Sequence, residues 1–231
     1  MKLKSFGCSF IFGSELSDDC SSDSNLVPSQ LTWPAHLARH MGVEYETHSR
    51  PGSGNLQIAE RVLSHIALDA SDFYTINWTW IDRFDLWDPD GDSKHYRDDD
   101  LWFKWSTILP SDHNEIAKNY YRDIQSDLRD KLTTLMYVRT VIDTLKEKNI
   151  PFVMTYMDNL MFNQEWHMTL AVKQLQEYVK PHMTTFDGDN LLDWSRKNNY
   201  PVSEAWHPLD QAHRAAGDYI ISIFDKQNIN N

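Results

Sequence analysis

The chain predicts an α/β fold, a mostly parallel sheet covered on both faces by helices. Three observations carry that prediction. Short β-branched or alternating runs and longer runs of helical period succeed one another about four times, and the series closes on a helix. The 231 residues are 41% hydrophobic and include nine tryptophans, so a large core needs no staples. Repeats and low-complexity stretches are absent, and only the polar end "DKQNINN" reads as a tail. One domain over residues 1–231 is expected, with an irregular insertion at about 82–114.

"KLKSFGCS" reads as the first strand, ending near Ser9, and the polar stretch "SELSDDCSSDSNLVPSQ" as loop. "TWPAHLARHMG" is a helix with Thr32 as candidate N-cap, Pro34 in its first turn and Gly42 as its stop. "VEYETHS" alternates as a second strand, and the turn "RPGSGN" feeds a helix whose Leu56, Ala59, Val62, Leu63 and Ile66 share a face. "DFYTINWTWI", β-branched and aromatic, is the third strand. After the insertion, one long helical stretch is expected from Glu115 to Lys148. "IPFVMTYM" follows as a strand, "EWHMTLAVKQLQEYV" as a helix, "MTTF" as a short strand and "NLLDWSRKN" as a short helix. The last helix, "HPLDQAHRAAGDYIISIFDKQ", sets Leu209, Ala212, Ala216, Ile220 and Ile223 on one face.

The formal charge of −12 lacks the basic footprint that nucleic acid demands, and no run is long enough for a membrane span. Neither nucleic acid nor a membrane is therefore expected as a partner. Two cysteines, Cys8 and Cys20, with no evident signal peptide, suggest reduced thiols and a cytoplasmic setting, although their spacing permits a pair.

In a sheet of this kind ligands gather beyond the carboxyl ends of the strands, where Ser9, "PGSGN" and "NWTWI" all fall. Ser9 and Cys8 are both plausible nucleophiles, and both could be small residues of a turn. A serine hydroxyl needs an imidazole to accept its proton and a carboxylate to orient that imidazole. Of ten histidines, His207 in "SEAWHPLDQAH" has the best context, with Glu204 three residues upstream. Cys8, adjacent to Ser9, should point the other way along an extended chain and pack as a small hydrophobe. His213 falls inside the last helix with no catalytic case of its own.

"FGCSF", "PGSGN" and "EAWHPLDQAH", in that order across nearly the whole chain, resemble the serine, glycine and acid–histidine blocks of the SGNH (GDSL-type) hydrolases. The resemblance implies a flavodoxin-like three-layer α/β/α sandwich and ester hydrolysis without a metal or other cofactor. Its substrates would be small-molecule or glycan esters. By position, Ser9 would be the nucleophile, His207 the base and Glu204 the acid, standing where the family usually has Asp. The backbone N–H groups of Ser9 and Gly52 would donate to the oxyanion. Cys8 replaces the Asp of Gly-Asp-Ser. "TINWTWIDR" puts Thr79 in the slot of the family's oxyanion Asn, with Asn77 two residues earlier. Trp80 and Arg83 are candidate substrate contacts, although for Arg83 an ordinary ion pair with a nearby Asp is the stronger expectation.

These departures leave room for a second reading, a catalytically weak or inactive module of the same fold that binds a glycan or a protein. A thiol enzyme using Cys8 is a third. Asp88, Asp90 and Asp92 alternate as in calcium loops, but Gly91 comes too early and the twelfth position lacks Glu, so a solvated loop is expected. Asp187 and Asp189 read as a turn and helix cap. Trp87, Trp102, Phe103 and Trp105 could form a lid, a sugar platform or simple packing.

Overall fold

A computed structural model describes residues 1–21, 26–68, 72–87 and 105–229. Its main sheet contains β1 (Lys2–Phe6), β2 (Glu44–Thr47), β3 (Phe73–Trp78) and β6 (Phe152–Tyr156), all parallel, in the order β2-β1-β3-β6. The register pairs Ser5 with Thr47, Phe6 with Ile76, and Asn77 with Thr155. All carboxyl ends therefore face one edge, and the turns after Phe6, Thr47 and Trp78 meet there. "MTTF" supplies a single parallel bridge, Met183 to Met154, rather than a strand.

Side chains alternate across the strands and feed two cores. Phe6, Tyr74, Ile76, Met154 and Tyr156 pack with α3 (Asn55–Leu68), α5 (Asp127–Glu147) and α6 (Leu170–Val179). Leu3 and Phe73, on the other face, pack with α1 (Ser9–Phe12), α2 (Trp33–Met41), α7 (Leu191–Lys197) and α8 (Asp210–Ile229). The result is the three-layer α/β/α arrangement expected. Each such apolar side chain contributes roughly 1.5–3 kcal/mol of burial.

Helix ends follow local chemistry. Gly42 closes α2 in the left-handed region (φ 67°), donating to Ala38 and Arg39 carbonyls. The Thr32 side chain caps nothing; instead Trp33 N–H donates to Nδ1 of His213 (3.2 Å), which lies in α8 as expected. The long helix expected over 115–148 is two, α4 (Glu115–Asp123) and α5. Ser126 breaks it because its hydroxyl accepts from Arg129 N–H (3.4 Å), starting a new N-terminus with Asp127 and Asp130 in its first turn. Similarly α6 starts after Thr169, whose hydroxyl accepts from Val172 N–H (3.2 Å), leaving "EWHM" outside it.

The insertion opens on an antiparallel hairpin, β4 (Phe84–Trp87) and β5 (Trp105–Ile108), that the sequence did not signal. Trp87 and Trp105 meet edge to face across its end, with ring centroids 5.5 Å apart. Buried Asp85 anchors it, accepting from Gly54 N–H (2.9 Å), Gln57 N–H (3.0 Å), Gln57 Nε2 (3.0 Å) and Thr107 Oγ1 (2.7 Å). The acidic run 88–100 and the aromatics Trp102 and Phe103 lie outside the described residues. Among the described residues no helix is long and apolar enough to cross a membrane.

Candidate active site

Beyond β1 the chain turns sharply at Gly7, where a side chain would come within 2.9 Å of Ile11 Cγ1 and 3.3 Å of the Asn77 carbonyl. Cys8 is extended at the N-cap of α1, and its carbonyl accepts from Ile11 and Phe12 N–H (3.1 and 2.9 Å). The two candidate nucleophiles part here, where extended Cys8 gives way to Ser9 at the start of α1. Cys8 is wholly buried, its thiol 3.5 Å from Met157 Sδ. Ser9 Oγ lies 2.9 Å from His207 Nε2.

The other imidazole nitrogen, Nδ1, is hydrogen-bonded to Oε2 of Glu15 and not to Glu204. This corrects the expected acid. Residues 203–207 close into a tight turn: Ser203 N–H donates to the His207 carbonyl (2.9 Å), Trp206 N–H to the Ser203 carbonyl (3.0 Å), and His207 N–H to Ser203 Oγ (3.1 Å). That turn, with Trp206 at φ 69°, directs Ser203 inward and leaves Glu204 exposed. Glu15 arrives from the loop after α1, which Gly13 ends at φ 83°. Glu15 itself adopts φ 66°, its N–H donates to Asp19 Oδ2 (2.9 Å), and Ser17 N–H ties the same loop to Asp210 at the start of α8 (3.0 Å). Ser203 Oγ–H donates to Oε2 of Glu15 (2.6 Å). This bond foremost, and the one to His207 next, holds the Glu15 carboxyl below its ordinary range. The loop sequence offered Glu15, Asp18 and Asp19 as carboxylates, with nothing local to select among them.

The turn Arg50–Ser53 has Pro51 and Gly52 at its centre, with Gly52 at φ 79°, the type II signature that demands glycine. Arg50 N–H donates to the Gly7 carbonyl (3.1 Å), which fastens this turn beside Ser9. Two arginines hold its far end: Arg61 Nη2 donates to Ser53 Oγ (2.7 Å), and Arg83 Nη1 to the Ser53 carbonyl (2.9 Å). Arg83 also lies 4.7 Å over the Trp80 ring, so its guanidinium braces the turn where a substrate contact or an ion pair was expected.

Both side chains expected to complete the oxyanion site are buried. Asn77 is buried within the sheet and gives its amide to Thr155 Oγ1 (2.7 Å), its neighbour in register. Thr79 has no exposed surface, and its Oγ1 has no partner among the described residues. Asn55, the last residue of "PGSGN", went unmarked in the sequence yet fixes the end of β3. Its Oδ1 accepts from Thr79 N–H (2.8 Å), and its Nδ2 donates to the carbonyls of Thr79 (3.2 Å) and Trp80 (3.3 Å). Half-exposed Trp80 meets the edge of Phe10 (5.7 Å), which in turn packs edge-on to His207 (5.4 Å).

No protein-family model and no curated protein matches the chain. Solved structures do. A psychrotrophic esterase, EstA from a Pseudoalteromonas species, determined with monoethylphosphonate as inhibitor, superposes with a TM-score of 0.55 at 11% identity, covering 100% of this chain and 99% of its own. A member of the lipolytic G-D-S-L family from Veillonella parvula gives 0.50 at 11% identity over 97% and 98%. The fold is that of the SGNH hydrolases. The protein YXIM of Bacillus subtilis is also similar, with a TM-score of 0.51 and 11% identity, over 99% of this chain and 57% of that one. On this SGNH fold, Ser9 and His207 come together as the motifs led one to expect, and Gly52 is tethered beside them through Arg50. Glu204 is exposed, whereas Asn77 and Thr79 are buried, Asn77 being bonded to Thr155. Among the described residues no group of three or more His, Cys, Asp or Glu side chains is placed to hold a metal ion.

Proposed function

We propose that the protein is a carboxylic ester hydrolase working through an acyl-Ser9 intermediate. The observation that carries this reading is the continuous line Ser9 Oγ, His207 Nε2, His207 Nδ1, Glu15 Oε2. With Nδ1–H donated to Glu15, Nε2 has a free lone pair and takes the Ser9 proton as Oγ attacks the ester carbonyl. The tetrahedral oxyanion accepts from the backbone N–H groups of Ser9 and Gly52. Ser9 N–H opens a helix, where it lacks an intrahelical acceptor. Collapse breaks the bond to the alcohol, which leaves with the proton from Nε2. Water, deprotonated by the same nitrogen, then cleaves the acyl-serine and regenerates Ser9. The substrate class we propose is an acyl or acetyl ester of a small molecule or glycan, the alcohol lying against Trp80, an aromatic surface suited to a sugar ring. That EstA, of the same fold, is an esterase supports the reading.

A fluorophosphonate probe tests it without a known substrate. Covalent labelling at Ser9, mapped by mass spectrometry and abolished in His207→Ala, is expected. An unlabelled Ser9 in folded protein would overturn it in favour of a binding module, and labelling at Cys8 would favour the thiol reading.

A further inference from the structure

We infer that Ser203 is a positioning residue that sets the Glu15 carboxylate against His207; this rests on the hydrolase reading above. Glutamate has one more rotatable bond than aspartate, and Glu15 approaches from a separate loop with nearly half of its side chain exposed (45%). A single hydrogen bond to His207 leaves such an arm free to swing into water. Ser203 removes that freedom from the imidazole's own turn. Its Oγ accepts from His207 N–H (3.1 Å) and spends its proton on Glu15 Oε2 (2.6 Å), the same oxygen that receives His207 Nδ1. The hydroxyl is therefore fixed to the histidine backbone at one end and to the acid at the other. Carboxylate and imidazole are held in one frame although their loops are far apart in sequence.

Two features set this apart from ordinary turn chemistry. The bonds that close the turn need only the hydroxyl's oxygen, as acceptor from His207 N–H (3.1 Å), beside two backbone bonds, Ser203 N–H to the His207 carbonyl and Trp206 N–H to the Ser203 carbonyl (2.9 and 3.0 Å). The hydroxyl proton is thus not required for the shape of 203–207. Further, the Glu15 backbone is held elsewhere, by Asp19 Oδ2, so Ser203 acts on the end of the side chain.

The test is a double-mutant cycle read by the rate of fluorophosphonate labelling of Ser9, resolved into the maximal rate and the half-saturating concentration. Ser203→Ala should lower the maximal rate about tenfold, as loss of a hydrogen bond to a charged group predicts, with half-saturation unchanged. Ser203→Thr, which keeps the hydroxyl, should restore most of the rate. In a Glu15→Ala background Ser203→Ala should have no further effect, because a residue acting through Glu15 has nothing left to position. An equal loss with and without Glu15, or a full rate in Ser203→Ala, overturns the assignment. Melting curves of each variant separate misfolding from misplacement. Ser9→Ala is run in parallel: labelling that survives it defeats the hydrolase reading itself, whereas a flat cycle with Ser9-dependent labelling defeats only the role of Ser203.

Discussion

Glu15 and His207 stand 192 residues apart in the chain and share a hydrogen bond from imidazole Nδ1 to carboxylate Oε2. Ser9 and Glu15 thus both come from the segment after β1, while His207 and Ser203 come from the turn before α8. The site is the docking of two short loops, fastened by Ser17 N–H on Asp210 and by Ser203 on Glu15.

This relationship separates two carboxylates. Glu15→Gln should lower the labelling rate strongly, by up to about 10⁴-fold, the loss that follows when the orienting acid of a serine hydrolase is neutralised. Glu204→Gln, at an exposed side chain away from the imidazole, should change it less than about twofold, in line with surface substitutions generally. Side-by-side kinetics of the two variants decide the matter, and the reverse ranking would return the acid's role to Glu204.

Thr79 can be tested apart from the backbone donors. Its buried hydroxyl has no partner among the described residues, so Thr79→Val exchanges an unsatisfied polar atom for a methyl group. Stability should hold or rise by about 1 kcal/mol, with labelling unchanged within about threefold. A loss near 10²-fold, the cost of a missing oxyanion donor, would show instead that the hydroxyl serves the transition state.

The hairpin depends on one buried carboxylate. Asp85→Ala strips acceptors from Gly54 N–H, Gln57 N–H, Gln57 Nε2 and Thr107 Oγ1 at once, and should cost about 2–4 kcal/mol in urea unfolding. Gly54→Ala should be damaging at the same contact, since its new Cβ would lie 2.5 Å from Asp85 Oδ2. If both variants unfold like the parent, Asp85 is not the anchor.

Stability should fall in mild acid. Burial pushes His213 down to about 4 from 6.5, against a smaller opposing effect of Asp210, with His207 acting in the same direction as burial. His48 and His65, whose tilted rings lie 3.7 Å apart, are likewise pushed down, to about 3 and about 4, chiefly by burial. For such groups the unfolded chain binds the proton first, so their stabilisation is complete above pH 6.5 and is lost as pH drops towards 4. For His213 alone this amounts to about 3 kcal/mol. His213→Asn keeps an acceptor for Trp33 N–H without the titration, and the slope of unfolding free energy between pH 6.5 and 4 should flatten. An unaltered slope would remove His213 from the account.

The sequence by itself determined the layered fold, because period and composition are local properties. Runs such as "IPFVMTYM" and "NLQIAERVLSHIAL" declare their faces whatever surrounds them. It also singled out Ser9, Gly52 and His207 as candidates, because their neighbours in the chain carry the pattern. Tertiary structure decided the rest. The split between α4 and α5 turns on whether the Ser126 hydroxyl caps a new helix, and β4 is fastened to the start of α3 because buried Asp85 accepts from Gly54 and Gln57. Which carboxylate meets His207 is likewise a matter of folding: Glu204 is near the histidine in sequence, but turn 203–207 leaves it exposed, and the imidazole's Nδ1 bonds Glu15 from the far end of the chain. A hydrogen bond is made by direction and distance, and for side chains that meet across a fold these are properties of the packed whole.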